Sequence, residues 1–431
     1  MREQGARGEG LVRGWRSDAR SRVFDSNMEG GPIRARRHSK EGSWIALAIA
    51  VLAAGTWSVR AHAGMTYQID EVRSFSAGLG ARTSFAAIED GAGGGDEWSK
   101  DFNLDNARIY LNGTIFKWLK LEMNTECVFC GNSDLQDFVI LDGIVKIEPS
   151  PYFNIWGGRL IVPADRREMD GPFYGNVYEN YKTPFFSADF STGYGDGGAG
   201  LYARDHGVNI WGDFEKFKYV VGVFNGLRGG ANEDDNPLYA FRLAYQFLDK
   251  EDNPGYYTSS TYYGGADVLT VAVALQYQQD GAGSSLNSGD LIATGADLLF
   301  EKTLGSVGVA TVEADFKYFD FNNNVAAFAD PDNFGMFDGT SYSGTALYLL
   351  PNAVGPGKFQ PYLRFTQINA DDSADRNEFE TGLNYVISGH NAKVALFYQY
   401  GDLATKSLVN FAPNVSGDRV SAIKLAIQLQ I

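Results

Sequence analysis

The chain has 431 residues, with 53 Asp and Glu against 37 Lys and Arg, a formal charge of −16. That balance argues against a nucleic-acid binder. Tyr (23), Phe (29) and Gly (51) are abundant and Pro (13) is sparse, which fits one large β-structure or two soluble domains.

The N-terminal region reads as a targeting segment. A basic run, RARRHSK (34–40), precedes an apolar stretch, WIALAIAVLAAGTW (44–57), and AHA (61–63) precedes Gly64. This is the charged, apolar and small-x-small order of a secretory signal peptide, with cleavage expected after Ala63. The apolar stretch falls short of the roughly 20 residues a spanning helix needs. Residues 1–27 are polar and foreign to such a segment, so Met28 is the expected start. Arg36 and Arg37 read as ordinary charge of that region. The first 63 residues hold 11 basic and 6 acidic side chains. The exported remainder, 64–431, then carries 26 against 47, a formal charge of −21.

From residue 73 onward the dominant signal is period two, the mark of a strand with two unlike faces. In VLTVAVALQY (268–277), Leu269, Val271, Val273, Leu275 and Tyr277 share one face, and Thr270, Ala272, Ala274 and Gln276 the other. Sixteen such segments are expected, near 73–85, 102–115, 118–127, 136–147, 153–161, 205–214, 217–225, 238–247, 267–278, 291–303, 307–319, 341–350, 358–368, 376–387, 392–402 and 418–431. Most have the length of a tilted strand that crosses a bilayer. No segment has a helical period.

The connections alternate as well. Tight turns are expected near 116–117, 148–151, 215–216, 305–306 and 388–391. Long Gly- and Asp-rich loops are expected at 86–101, 162–204, 226–237, 279–290, 320–340 and 403–417. The connection 248–266 breaks the rule, being long where it should be short; a missed strand pair would explain it. The expected fold is therefore an all-β transmembrane antiparallel β-barrel of about 16 strands. A soluble β-sandwich gives alternating strands too. Long strands, aromatic residues at strand ends (Tyr318, Phe319, Phe397, Tyr398, Tyr400) and a final strand that runs to Ile431 favour the barrel.

One face of such a wall meets lipid and the other the lumen. The lumen face offers Arg108, Lys120, Lys146, Arg242, Lys317, Arg364, Lys393 and Lys424, and also Glu122, Asp142, Asp297, Glu301, Glu313, Asp315, Glu378 and Glu380. A Lys or Arg facing lipid would cost about 2–4 kcal/mol at the midplane, so these residues belong inside. Cys127 and Cys130, the only cysteines, fall on an outer loop. In an oxidising compartment the simplest reading of that pair is a disulfide. Haem attachment would need a following His, where Gly131 stands, and zinc would need ligands that His206 and His390 are too distant in sequence to supply. No metal or cofactor is expected. The two histidines and the lack of G-x-S-x-G argue against an enzyme.

VKIEPSPYFNIWGGRLIVPADRREMDGP (145–172), ARDHGVNIWGDFEKFKYVVGVFNG (203–226), GKFQPYLRF (357–365) and SGHNAKVALFYQY (388–400) resemble hairpins of the phosphate-selective porin O and P family. The resemblance implies a sixteen-stranded outer-membrane porin that passes small ions or solutes, possibly anions such as phosphate. It also implies a homotrimer surrounded by outer-membrane lipid and lipopolysaccharide. It implies a third loop, 162–204, folded inward to narrow the channel. There Arg166, Arg167, Tyr174 and Lys182, with Arg159 on the preceding strand, would form the constriction. The family's channels are lined by arginines and lysines; this chain is acidic, which leaves the sign of selectivity open. The alternative is a structural barrel that sheathes a multihaem cytochrome in an electron conduit.

Overall fold

Alternation along the chain becomes a wall with two faces. The computed structural model describes residues 64–128, 137–184, 186, 203–321, 337–371, 373–403 and 417–431. Its strands form one antiparallel sheet. A short strand β1 (Met65–Gln68) is followed by β2 (Ser74–Ile88), β3 (Asp101–Phe116), β4 (Leu119–Val128), β5 (Asp137–Ser150), β6 (Phe153–Ile161), β7 (Arg204–Phe214), β8 (Phe217–Phe224) and β9 (Leu238–Gln246). Then come β10 (Val268–Gly283), β11 (Ser288–Thr303), β12 (Val309–Asp320), β13 (Gly339–Leu349), β14 (Lys358–Ala370), β15 (Arg376–Ser388), β16 (Ala392–Gly401) and β17 (Val420–Gln430). From β2 onward each strand pairs with the next, and β17 pairs with β2 from Ala422↔Ile88 to Gln430↔Gly80. The result is a closed barrel of sixteen strand positions, one for each expected segment.

Strand β1 was not expected. It pairs with Ser74–Ala77 of β2, residues whose other edge is taken by β3. It therefore lies on the β17 side. It prolongs that row past the point where Ile431 and Leu79 exchange backbone hydrogen bonds.

The outward face is apolar. Along β10, Val271, Val273 and Leu275 are exposed, while Thr270, Ala272, Ala274 and Gln276 are buried. The same alternation runs round the wall, and an apolar surface of this extent belongs against hydrocarbon. Rings pair at the end that carries the short turns: Phe116 with Trp118 at 5.6 Å, Tyr152 with Phe214 at 5.1 Å, Tyr245 with Phe247 at 4.8 Å. They form the aromatic girdle of a membrane barrel.

Three connections differ from expectation. The expected loop 279–290 is a short turn, because β10 and β11 run on to Gly283 and Ser288. The connection 248–266 hides no strand pair; it folds into the lumen. The loop 162–204 contains a helix, α1 (Arg166–Tyr174), although no helical period marks it. The expected signal segment, 1–63, lies outside the described residues.

Candidate functional site: a lumen divided by two inward segments

Helix α1 is short and sits wholly inside the barrel. Asp165 caps it, accepting from the backbone N–H of Arg167 at 2.8 Å and of Glu168 at 3.4 Å. Gly171, at φ +66°, interrupts the helix before Pro172, a conformation that a side chain would strain. Residues 166–173 are all buried. Such a charged segment stays buried only because each charge meets a partner.

Those partners come from one side of the wall. Arg166 holds Glu251 through both guanidinium arms, at 2.7 Å each, and its backbone N–H donates to Asp297 at 3.2 Å. Arg242 holds the same Asp297 at 2.5 and 2.9 Å. Arg167 reaches Asp315 at 2.7 Å and Glu313 at 3.3 Å. Lys317 reaches back to Asp165 at 2.8 Å and Glu168 at 2.5 Å. Past the helix, Lys182 bridges Glu179 at 2.7 Å and Glu378 at 2.9 Å, and Lys424 also pairs with Glu179. Arg364 pairs with Glu380 at 2.5 Å.

The connection 247–267 enters from the short-turn end and meets α1. Ser259 and Ser260 are buried, and the Ser259 carbonyl accepts from Arg166 at 2.7 Å. Thr261 donates to Glu301 at 2.6 Å, and Tyr262 to Glu251 at 2.6 Å. Burial alone would raise the Glu251 carboxyl, but Arg166 outweighs it and holds it at about 2. The Ser260 hydroxyl lies between Asp170 and Glu313, 2.7 Å from the latter. Burial, then the nearby Glu313, pushes the Asp170 carboxyl well above its usual range. This inward segment was missed at the sequence level, where its signal was a connection too long for its place.

The two segments leave a cavity of about 490 Å³ along the opposite wall. Its charged lining is Arg108, Lys120, Glu122, Asp142, Lys146, Glu148, Asp170 and Arg204. The wall cations pair with carboxylates along the wall: on adjacent strands Arg108 with Glu126 at 2.5 Å, Lys120 with Glu148 at 2.6 Å and Lys146 with Glu122, and across β6 Arg204 with Asp142 at 3.0 Å. Lys146 also lies 3.7 Å over the Trp156 ring. Asn112, Tyr174, Asn253, Tyr257 and Asn391 complete much of the surface.

The structure separates the five expected constriction residues. Arg166 and Arg167 are 1% and 2% exposed and paired with carboxylates, which ties α1 to the wall and to the 247–267 segment. Lys182, at 4%, is likewise a clamp. Tyr174 alone borders the cavity, 45% exposed. Arg159 pairs across the sheet with His206, beside the outward pair Gly157 and Val208, and donates to the Leu141 carbonyl at 3.2 Å. The register puts it on the outward face with Gly157 and Val208. Of the sixteen expected lumen residues, Arg108, Lys120, Lys146, Glu122 and Asp142 border the cavity. Arg242, Asp297, Glu313, Asp315 and Lys317 hold α1, and Arg364 stands beside the segment that follows it.

Cys127, near the outer end of β4, is disulfide-bonded; Cys130 lies outside the described residues. His390 stands 3.1 Å from the Ser259 hydroxyl, but the same Nε2 faces the Thr261 carbonyl at 3.0 Å. A nitrogen that donates to a carbonyl cannot accept the serine proton, so this pair is no nucleophile and base. Burial, then the Lys393 charge, holds His390 at about 4, hence neutral at pH 7.

No family model and no curated protein matches the sequence. Solved structures do match in fold. An anion-selective porin from Comamonas acidovorans aligns with a TM-score of 0.54 at 14% identity, covering 83% of this chain and 100% of that one. OprB of Pseudomonas putida aligns with a TM-score of 0.53 at 9% identity, covering 83% and 94%. The fold is that of outer-membrane porins, and the apolar outer wall places the barrel in a bacterial outer membrane.

Proposed function

We propose that the protein is a porin, a passive diffusion channel for small solutes across the outer membrane. The observation that carries this reading is the cavity of about 490 Å³, lined by charged and amide side chains, left between the inward segments and the wall β2–β7 inside a closed barrel with an apolar exterior. The finer parts of the reading are a homotrimer in lipid and lipopolysaccharide, a chain cleaved after Ala63, and a Cys127–Cys130 bridge that stiffens an outer loop. Phosphate is the solute that the resemblance supplies. The engagement of Arg166 and Arg167 by carboxylates counts against those two as its filter. The cytochrome sheath is not favoured, because α1 and the 247–267 segment occupy the lumen a cytochrome would need.

The test is conductance. Purified, refolded protein in a planar bilayer should give discrete ion-conducting steps. A folded barrel that gives none would overturn the channel reading.

A further inference from the structure

We propose that the conducting path favours electrically neutral, hydrogen-bonding solutes over phosphate or any other ion. The proposal rests on the channel reading above and names its solute class.

Charge pairing along the cavity supports it. Arg108, Lys120, Lys146 and Arg204 are balanced one for one by Glu126, Glu148, Glu122 and Asp142. Asp170, the remaining carboxyl of the lining, is held by the Ser260 hydroxyl beside Glu313, where burial and the Glu313 charge favour its neutral form. Counting Glu126, which holds Arg108 from outside the lining, each of the four cations is matched by one carboxylate. Each pair is a contact dipole, whose field falls off much faster than that of a lone charge, so a passing ion meets no ring of one sign.

An anion filter also needs guanidinium forks free to close on an oxyanion. The two that border the cavity, Arg108 and Arg204, are 8% and 5% exposed and already held by carboxylates. Arg82 lacks a carboxylate, but it is buried against Asn106 and the Tyr178 ring, 3.9 Å away, and stands outside the cavity lining. Beside Lys120, held by Glu148, the groups left for a solute are amides and hydroxyls. Asn112, Asn253, Asn391 and Tyr174 border the cavity and are at least partly exposed. Groups of this kind donate to and accept from hydroxyls without selecting a charge.

The experiment pairs reversal potentials in a planar bilayer with swelling of proteoliposomes in a neutral pentose. The expected cation-to-anion permeability ratio is within about twofold of one, with pentose-driven swelling and no block by inorganic phosphate. A ratio beyond about twofold in either direction, or block by phosphate, overturns the proposal while leaving the channel reading intact. Absence of both conductance and swelling from folded protein overturns the channel reading itself. A second measurement isolates the pairing. Glu148→Gln leaves Lys120, 42% exposed, without its partner and should move the ratio toward anions. Adding Lys120→Gln should reverse that move. If Glu148→Gln leaves the ratio where it was, the pairing is not the source of neutrality.

Discussion

The two sides of this barrel use the same residues differently. On the side β10–β17, lumen charges point across to the inward segments: Asp297, Glu313 and Asp315 to Arg166 and Arg167, Lys317 to Asp165 and Glu168, Lys424 to Glu179. On the side β3–β7, lumen charges point sideways along the wall, as in Lys146 with Glu122 on the next strand and Arg204 with Asp142 across β6. The first arrangement seals the lumen; the second leaves a void beside itself. Whether a wall is closed or open here depends on where each charge finds its partner, not on how many charges it carries.

The sharpest way to break that contrast is to unseal the first side. Replacing Arg166 and Arg167 together with Ala takes the arginine from Glu251, Glu313 and Asp315 while Asp297 keeps Arg242, at about 3–5 kcal/mol for each broken buried pair. The helix should leave the wall and single-channel conductance should rise. Conductance equal to that of the parent, in a folded barrel, would contradict the anchoring role.

A smaller effect is expected from the other inward segment. Exchanging residues 250–264 for a short Gly-Ser turn removes the partners of Arg166 and Asp170 but leaves Asp297 in place. Conductance should rise less than in the double Arg variant. A fall would place the 247–267 segment outside the conduction path.

Acid should weaken the sealed side gradually. Glu251 is held below its usual 4.5, at about 2, so its stabilising contribution is fully present above 4.5 and lost as pH falls toward 2. Protease resistance of the 247–267 segment, followed from pH 6 to pH 2.5, should decline in that window. Glu251→Gln should flatten that decline. An equally steep decline in the variant would assign it to other groups.

The least effect should follow Arg159→Ala. Its side chain is on the outward face, so ion selectivity should stay at the parent value and stability within about 0.5 kcal/mol. A selectivity change would return Arg159 to the channel.

The barrel was legible because its signal is local. Each strand declares its faces by alternation, and all sixteen positions follow from that rule. Parity alone would have put Arg159 with Ile155 and Gly157, outside, had it been followed through Gly158. What stayed illegible depends on distance. Nothing local to RREMDGPFY marks a helix, because its burial is stabilised by residues such as Asp297 and Glu313, 131 and 146 positions away. The lumen charges could be named from sequence, but the choice between a partner next door and a partner across the lumen could not. β1 escaped because four residues give too short a run to alternate visibly.

That separation along the chain also orders assembly. Hairpins join neighbouring strands and can form as the chain is laid down. The clasp of Lys424 on Glu179 and of Lys393 on the Gly175 carbonyl spans 245 and 218 residues. Such contacts need the last strands in place before they reward the entropy of closing so long a loop. The clasp of Glu179 and Gly175 on the last strands therefore forms only once β16 and β17 are in place.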